Sequence, residues 1–215
     1  MSDLTLRRRI LDELEFLPHI DAGAIGVTLE NGVVVLTGHV NTYAEKIAVE
    51  CAVQAIKGVL ALAEELEVRV SGLDAVEDSV IASRCLDLVR WNTTVSDEPI
   101  HIKVQHGWVT IRGNVEWQYQ KEAVQSVIEQ LQGVSRIDNF LVIQPKESTQ
   151  DIKKLIDAAL IRSAGLDVSK IRVTVHGNQV TLEGTVSLWS ERKAVEQTAW
   201  AVAGVSHVEN HLLIA

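Results

Sequence analysis

Hydrophobic and polar positions recur along this chain in one order, three times. An amphipathic helix comes first: Leu6, Ile10, Leu14 and Leu17 stand at three- and four-residue steps, the spacing of one helix face. Val80, Ile81, Cys85, Leu88 and Val89 repeat that stripe, as do Ile152, Leu155, Ile156, Ala159 and Leu160. Turn-forming segments follow, with Pro18 in the first copy, the stretch 93–99 in the second and Gly165 in the third. Strict alternation then takes over. Ile25, Val27, Leu29, Val34 and Leu36 predict two strands with one apolar face, matched by Ile100, Ile102, Val104, Val109 and Ile111 and by Ile171, Val173, Val175, Val180 and Leu182. Asn31-Gly32, His106-Gly107 and Gly177-Asn178 lie between the strands and suit tight two-residue hairpin turns, which demand positive φ angles.

A second helix opens in the first copy at Thr42–Glu45, the spacing of a capping box. Its buried stripe is Ala48, Val49, Ala52, Val53 and Ile56. Gly58, Gly133 and Gly204 end the three second helices, because glycine takes the left-handed conformation without strain. A last strand follows at 60–68, 134–143 and 205–214. Superposing Gly38, Gly113 and Gly184 brings all of this into register with a period of 71–75 residues, so the chain is three copies of one small domain. The order α-β-β-α-β predicts an α+β fold: three tandem domains at 1–70, 77–144 and 150–215, each with two helices on one face of a three-stranded mixed sheet. The connectors at 71–76 and 145–150 are short, which predicts close docking.

Charge narrows the function classes. The net charge is −9 over 215 residues. The first copy has 6 basic and 11 acidic side chains, the second 6 and 9, and residues 151–215 have 7 and 7. No copy is basic, which removes the electrostatic footprint of a nucleic-acid binder and argues against purely electrostatic adhesion to anionic membranes. Arg7, Arg8 and Arg9 precede a stripe interrupted by Asp12, Glu13 and Glu15, unlike a secretory signal. With no apolar run long enough to span a bilayer, a cytoplasmic protein is expected. Cys85 aligns with the core positions Ile10 and Ile156, and Cys51 with Ser126 and Gln197. The cysteines do not repeat with the domain, so they form no disulfide framework.

Gly32 to Val40, Ala48 and Gly58-Val59, with Gly107 to Val115, Ala123 and Gly133-Val134 in the second copy, resemble the BON domain. The third copy inverts the turn to Gly177-Asn178 but keeps Val180, Leu182, Gly184, Val186, Ala194 and Gly204-Val205. The resemblance covers nearly the whole chain. It implies the α-β-β-α-β fold, and a role of the kind found in osmotic and envelope stress proteins, through phospholipid binding or, as in one cytoplasmic member, potassium binding. Most of the matching positions are core or turn residues, so they warrant fold more than activity.

Candidate binding residues are of two kinds. Lys46, Lys121 and Arg192 each stand eight positions after a strand glycine, near Tyr43, Trp117, Tyr119 and Trp189. A cation and an amphipathic aromatic near a helix N-terminus suit a lipid phosphate; equally, such residues decorate a solvated helix face. Val33 and Val35, and Trp108, Phe140 and Val142, fall on the sheet face away from the helices. Docking against a neighbouring copy is the expected explanation, and an open lipid or partner site the alternative. The third copy is polar there, with Arg172, Thr174, Gln179, Thr181 and Glu183.

Catalytic signals are absent. His207 and His211 lie on a strand, roughly 13 Å apart along it, too far to share a metal. No glycine-rich phosphate loop opens a helix and no nucleophile sits in a triad setting. The reading is a non-catalytic binding protein without metal or cofactor. It interacts with phospholipid headgroups or a membrane-associated partner; the alternatives are monovalent-cation sensing and a protein–protein scaffold.

Overall fold

The computed structural model describes residues 3–69, 76–95, 100–145, 151–162 and 168–214. The connectors at 71–75 and 146–150, residues 96–99 of the second turn and Gly165 lie outside them. Each repeat contributes a helix, two strands, a second helix and a third strand. In the first these are α1 (Asp3–Phe16), β1 (Ile25–Glu30), β2 (Val33–Val40), α2 (Tyr43–Gln54) and β3 (Ala61–Val68). The second has α3 (Asp78–Trp91), β4 (His101–Gln105), β5 (Trp108–Val115), α4 (Gln118–Glu129) and β6 (Arg136–Ile143). The third has α5 (Ile152–Arg162), β7 (Ile171–His176), β8 (Gln179–Val186), α6 (Trp189–Trp200) and β9 (His207–Ile214). Three separate sheets result, ordered β1-β2-β3, β4-β5-β6 and β7-β8-β9. In the first and third the hairpin is antiparallel and the last strand joins the middle one in parallel, so the expected mixed sheet is what forms.

Contacts group the chain into two compact units whose boundary runs within the second repeat: Met1–Trp91, Ile102–Ile111 and Gln125–Asp138 in one, Asn92–His101, Arg112–Val124 and Asn139–Ala215 in the other. In the first unit, Leu6, Ile10 and Leu14 of α1 and Val49 and Val53 of α2 meet Val27, Val34, Leu36 and Leu66 of the sheet in one buried cluster. Ile81, Val109, Ile111 and Ile128 are also buried there, with Cys85 filling the position of Ile10. Burial pushes the Cys85 thiol up to about 11, so it stays protonated and inert. In the second unit, Ile156 and Leu160 of α5 and Val195 and Ala199 of α6 pack on Val173, Val180, Leu182 and Leu212. Two expected core positions, Val80 and Leu155, are instead exposed. Each immediately precedes a buried isoleucine, and one residue is a rotation of about 100° on a helix, enough to leave the packed stripe.

The turns behave as their residues require. Asn31 and Gly32 both have positive φ (51° and 78°), as do His106 and Gly107 (53° and 73°). In the inverted turn glycine comes first and takes the positive φ, 60° at Gly177. The first residue of the preceding helix grips the turn. Asp3 Oδ2 accepts from the Asn31 amide at 2.9 Å, and Asp78 accepts from Gly107 and His106 at 2.9 and 2.7 Å. Those two amides hold the Asp78 carboxyl below the usual carboxylate range.

Gly38 and Gly184 have φ of 114° and 129°, and a Cβ at either would run into a backbone carbonyl oxygen, of Ala24 and Lys170 respectively. Gly38→Ala and Gly184→Ala are each expected to cost about 3 kcal/mol in urea unfolding. Gly177→Ala meets open space and is expected to cost only about 1 kcal/mol.

Candidate functional site

The expected capping box is present at the start of α2. Thr42 Oγ1 accepts from the Glu45 amide at 3.1 Å, and Glu45 reaches back to the Asn41 amide at 2.9 Å. The reach-back recurs in every repeat. Glu191 accepts from the Ser187 amide at 2.7 Å. Gln120 Oε1 accepts from the Glu116 and Trp117 amides at 2.9 and 3.1 Å, while its Nε2 donates to the Thr94 carbonyl at 2.9 Å. Gln120 is buried, and using both ends of the amide satisfies it.

One residue on stand the candidate cations, and their donors point inward. Lys46 Nζ donates to the Leu66 carbonyl at 3.0 Å and pairs with Glu64 at 2.8 Å. Lys121 Nζ donates to the Leu141 carbonyl at 2.9 Å. Arg192 donates to the Leu212 carbonyl at 3.2 Å and to that of Asn210 at 2.9 Å. The three leucines occupy equivalent, buried places in β3, β6 and β9. The residue two before each leucine accepts its amide: Glu64 for Leu66, Asn139 for Leu141 at 3.2 Å and Asn210 for Leu212 at 3.1 Å. Sequence reading finds the cations, takes the acidic pair Glu64-Glu65 as solvated where Glu64 in fact pairs inward with Lys46, and misses Asn139 and Asn210. Their signal was there, an acceptor eighteen residues after each cation and two before a leucine.

Burial lowers the Lys121 ammonium from the ordinary lysine range. Arg192 also lies over the Trp189 ring, 5.5 Å from its centroid, so the expected cation–aromatic pairing forms in the third repeat. In the second, Trp117 meets Tyr119, with centroids 6.2 Å apart and planes tilted by 30°. In the first, the Tyr43 phenol is half-buried and pushed up to about 12, by burial first and then by Glu129 and Glu50. Glu50 is raised too, by burial and then by Glu64. Glu129 belongs to α4 of the second repeat, and it raises Glu50 as well.

On the outward sheet faces Val33 and Trp108 are each 41% exposed, Phe140 and Val142 are each 54% exposed, and Val35 is half-buried. Alternation along a strand dictates which side a residue faces, not whether anything covers it. In the second sheet these rings carry arginines. Arg136 lies over Trp108 at 4.4 Å and pairs with Asp138 at 3.1 Å, and Arg112 lies over Phe140 at 5.4 Å.

Among the described residues no group of three or more His, Cys, Asp or Glu side chains could hold a metal ion. His207 and His211 each lie 3.7 Å from Glu209. Among the same residues, no helix is long and apolar enough to cross a membrane.

The BON domain family model matches residues 2–70, 77–145 and 148–215. No curated protein matches the chain. Among solved structures, CdsD, a structural protein of the type III secretion system of Chlamydia trachomatis, is similar at 17% identity. It covers 100% of this chain and 93% of its own, with a TM-score of 0.27. The PrgH periplasmic domain is similar at 9% identity over 89% of this chain and 95% of its own, with a TM-score of 0.22. Similarity at that level carries no argument.

Lys121→Ala leaves the buried Leu141 carbonyl without its donor and is expected to cost about 2 kcal/mol in urea unfolding. Glu50 behaves oppositely. Its folded pKa lies above the unfolded one, so its ionisation at neutral pH costs stability, and that cost vanishes below the unfolded carboxylate range. Glu50→Gln is expected to raise the melting temperature at neutral pH and to lose that advantage near about pH 4. The gain stays below about 1 kcal/mol, because the site is half open to solvent.

Proposed function

This chain belongs to the BON domain family, and from that premise we propose that it works without catalysis, as a binding protein that attaches peripherally to phospholipid headgroups. BON domains are generally binding modules, associated with envelope and stress proteins and with phospholipid binding. The observation that carries the reading to this chain is an exposed ring with a guanidinium against it, present once in each unit: Trp108 with Arg136 in the first, and Phe140, beside exposed Val142, with Arg112 in the second. Rings with an apolar body settle at the boundary between headgroups and acyl chains. A guanidinium beside them presents a planar fork of donors to a phosphate. In this reading Lys46, Lys121 and Arg192 brace the scaffold, and Trp117 and Trp189 belong to the helix starts. The chain's negative charge makes the attachment depend on these local pairs rather than on long-range attraction.

A second reading, monovalent-cation sensing, is favoured by one observation. After burial, Glu64 of the first repeat and Glu129 of the second raise the Glu50 carboxyl, and a cation would relieve that repulsion.

Flotation with phosphatidylglycerol and with phosphatidylcholine vesicles tests the first reading. The full chain is expected to float preferentially with the anionic lipid and less as salt rises. Trp108→Ser with Phe140→Ser, both at exposed positions, is expected to reduce that binding about tenfold. Absence of flotation at low salt, or an unaffected double variant, sinks it. Compaction seen by small-angle scattering with potassium but not sodium would then favour the second reading, and concentration-dependent assembly with neither ligand would favour a scaffold.

A further inference from the structure

The second compact unit contains a cleft of about 450 Å³ between the start of α4 and the end of α6, within the usual range of small-molecule sites (about 300–1,000 Å³). Trp117, Gln118, Tyr119 and Glu122 line one side, and Gln197, Trp200 and Ala201 the other. The chain has five tryptophans, two tyrosines and two phenylalanines; two of those tryptophans and one of those tyrosines line this cleft. Among the described residues that line it, the one formally charged group is the Glu122 carboxylate.

We propose that this cleft binds a small quaternary ammonium cation against the faces of Trp117, Tyr119 and Trp200, with Glu122 as counter-charge. The inference goes beyond the phospholipid-phosphate reading above and does not rest on it: the residues differ, and so does the charge of the recognised group.

The geometry separates this cation from its rivals. Trp117 and Tyr119, tilted 30° with centroids 6.2 Å apart, form an angled wall. Trp200, packed against the core of the third repeat, supplies an anchored ring on the other side. Aromatic faces carry a negative quadrupole and attract cations. A potassium ion would need a shell of oxygens to replace its water, and a primary ammonium would need acceptors for each N–H. A quaternary ammonium needs neither, only faces and a nearby negative charge, and three aromatic rings with Glu122 supply these, beside the amides of Gln118 and Gln197. Gln118 Nε2 donates to Glu122 Oε1 at 3.1 Å, steadying the carboxylate on the cleft wall. The partial charges of the two helix ends have opposite signs and largely offset each other, so Glu122 and the rings decide the preference. An anion is disfavoured by the same groups.

Free choline and the choline headgroup of a phospholipid share this chemistry, and the test separates them. Choline chloride and tetramethylammonium chloride are titrated into the full chain while the tryptophan indole N–H resonances are followed. Saturable shifts of the Trp117 and Trp200 signals are expected. The uncharged carbon isostere of choline, 3,3-dimethylbutan-1-ol, is expected to bind about tenfold more weakly, and Tyr119→Ser and Glu122→Gln are each expected to weaken choline severalfold. Tyr119 and Glu122 are exposed, so these variants keep the fold even where Trp200→Leu does not. Flotation with phosphatidylcholine vesicles that is lost in Tyr119→Ser would assign the ammonium to lipid, whereas choline binding without such flotation would assign it to a free solute. Either result leaves Trp108 and Phe140 uninvolved, so failure here and failure of the anionic-lipid reading are distinguishable. No saturable shift, equal binding of the neutral isostere, or variants indistinguishable from the parent chain would overturn the proposal.

Discussion

The repeat depends on how its last strand is held. That strand returns only through the crossover helix and pairs with the middle strand on one side, so it is an edge of its sheet. Its leucine, at 66, 141 or 212, is nonetheless buried, and a buried carbonyl left without a donor costs about 1–3 kcal/mol. The cation on the second helix supplies the donor, and the acceptor two residues before the leucine takes its amide. One helix is thereby fastened to one edge strand, at a place where an unpaired edge would otherwise invite another chain. Variation follows the chemistry of the pair. Lys46 has the Glu64 carboxylate beside it, whereas Asn139 stands in that place near Lys121, and there burial lowers the ammonium's pKa.

A cation bonded to carbonyls of its own chain braces the helix as well as carrying charge, because drawing it away would break those bonds. Two places take no part in that fastening: the outward strand face and the ends of the second helices. Both carry aromatics in the second repeat. The same places hold small, polar or charged residues at many equivalent positions in the other repeats, including Ala44 and Ser190 where the second repeat has Tyr119.

How much of this was legible in the sequence depends on the range of the interaction. The stripes of α1, α3 and α5, the alternation of the hairpins and the left-handed turn residues are local signals, and they fold as read. Leu155 and Val80 were misjudged only at the margin of a stripe. The tie from Lys46 to Leu66 joins residues twenty apart through a helix and a loop, and periodicity says nothing about where an ammonium ends. Alternation identifies the strand faces that carry Trp108 and Phe140 but not what meets them, and Arg136 and Arg112 lie over the two rings.

Tandem repetition of a small fold then does something a single copy cannot. Equivalent positions meet non-equivalent partners wherever one repeat adjoins the next. Within the first unit, the start of α2 and the end of α4 bring Tyr43 and Glu50 under the influence of Glu129, an acidic setting. Within the second unit, the start of α4 and the end of α6 bring Trp117 and Tyr119 opposite Trp200, an aromatic one. Glu129 and Trp200 occupy the same position of their repeats, as do Tyr43 and Gln118. Substitutions at the two ends of one helix are enough to give a shared backbone two chemically different settings. The core keeps the three repeats alike, and the helix ends make them different.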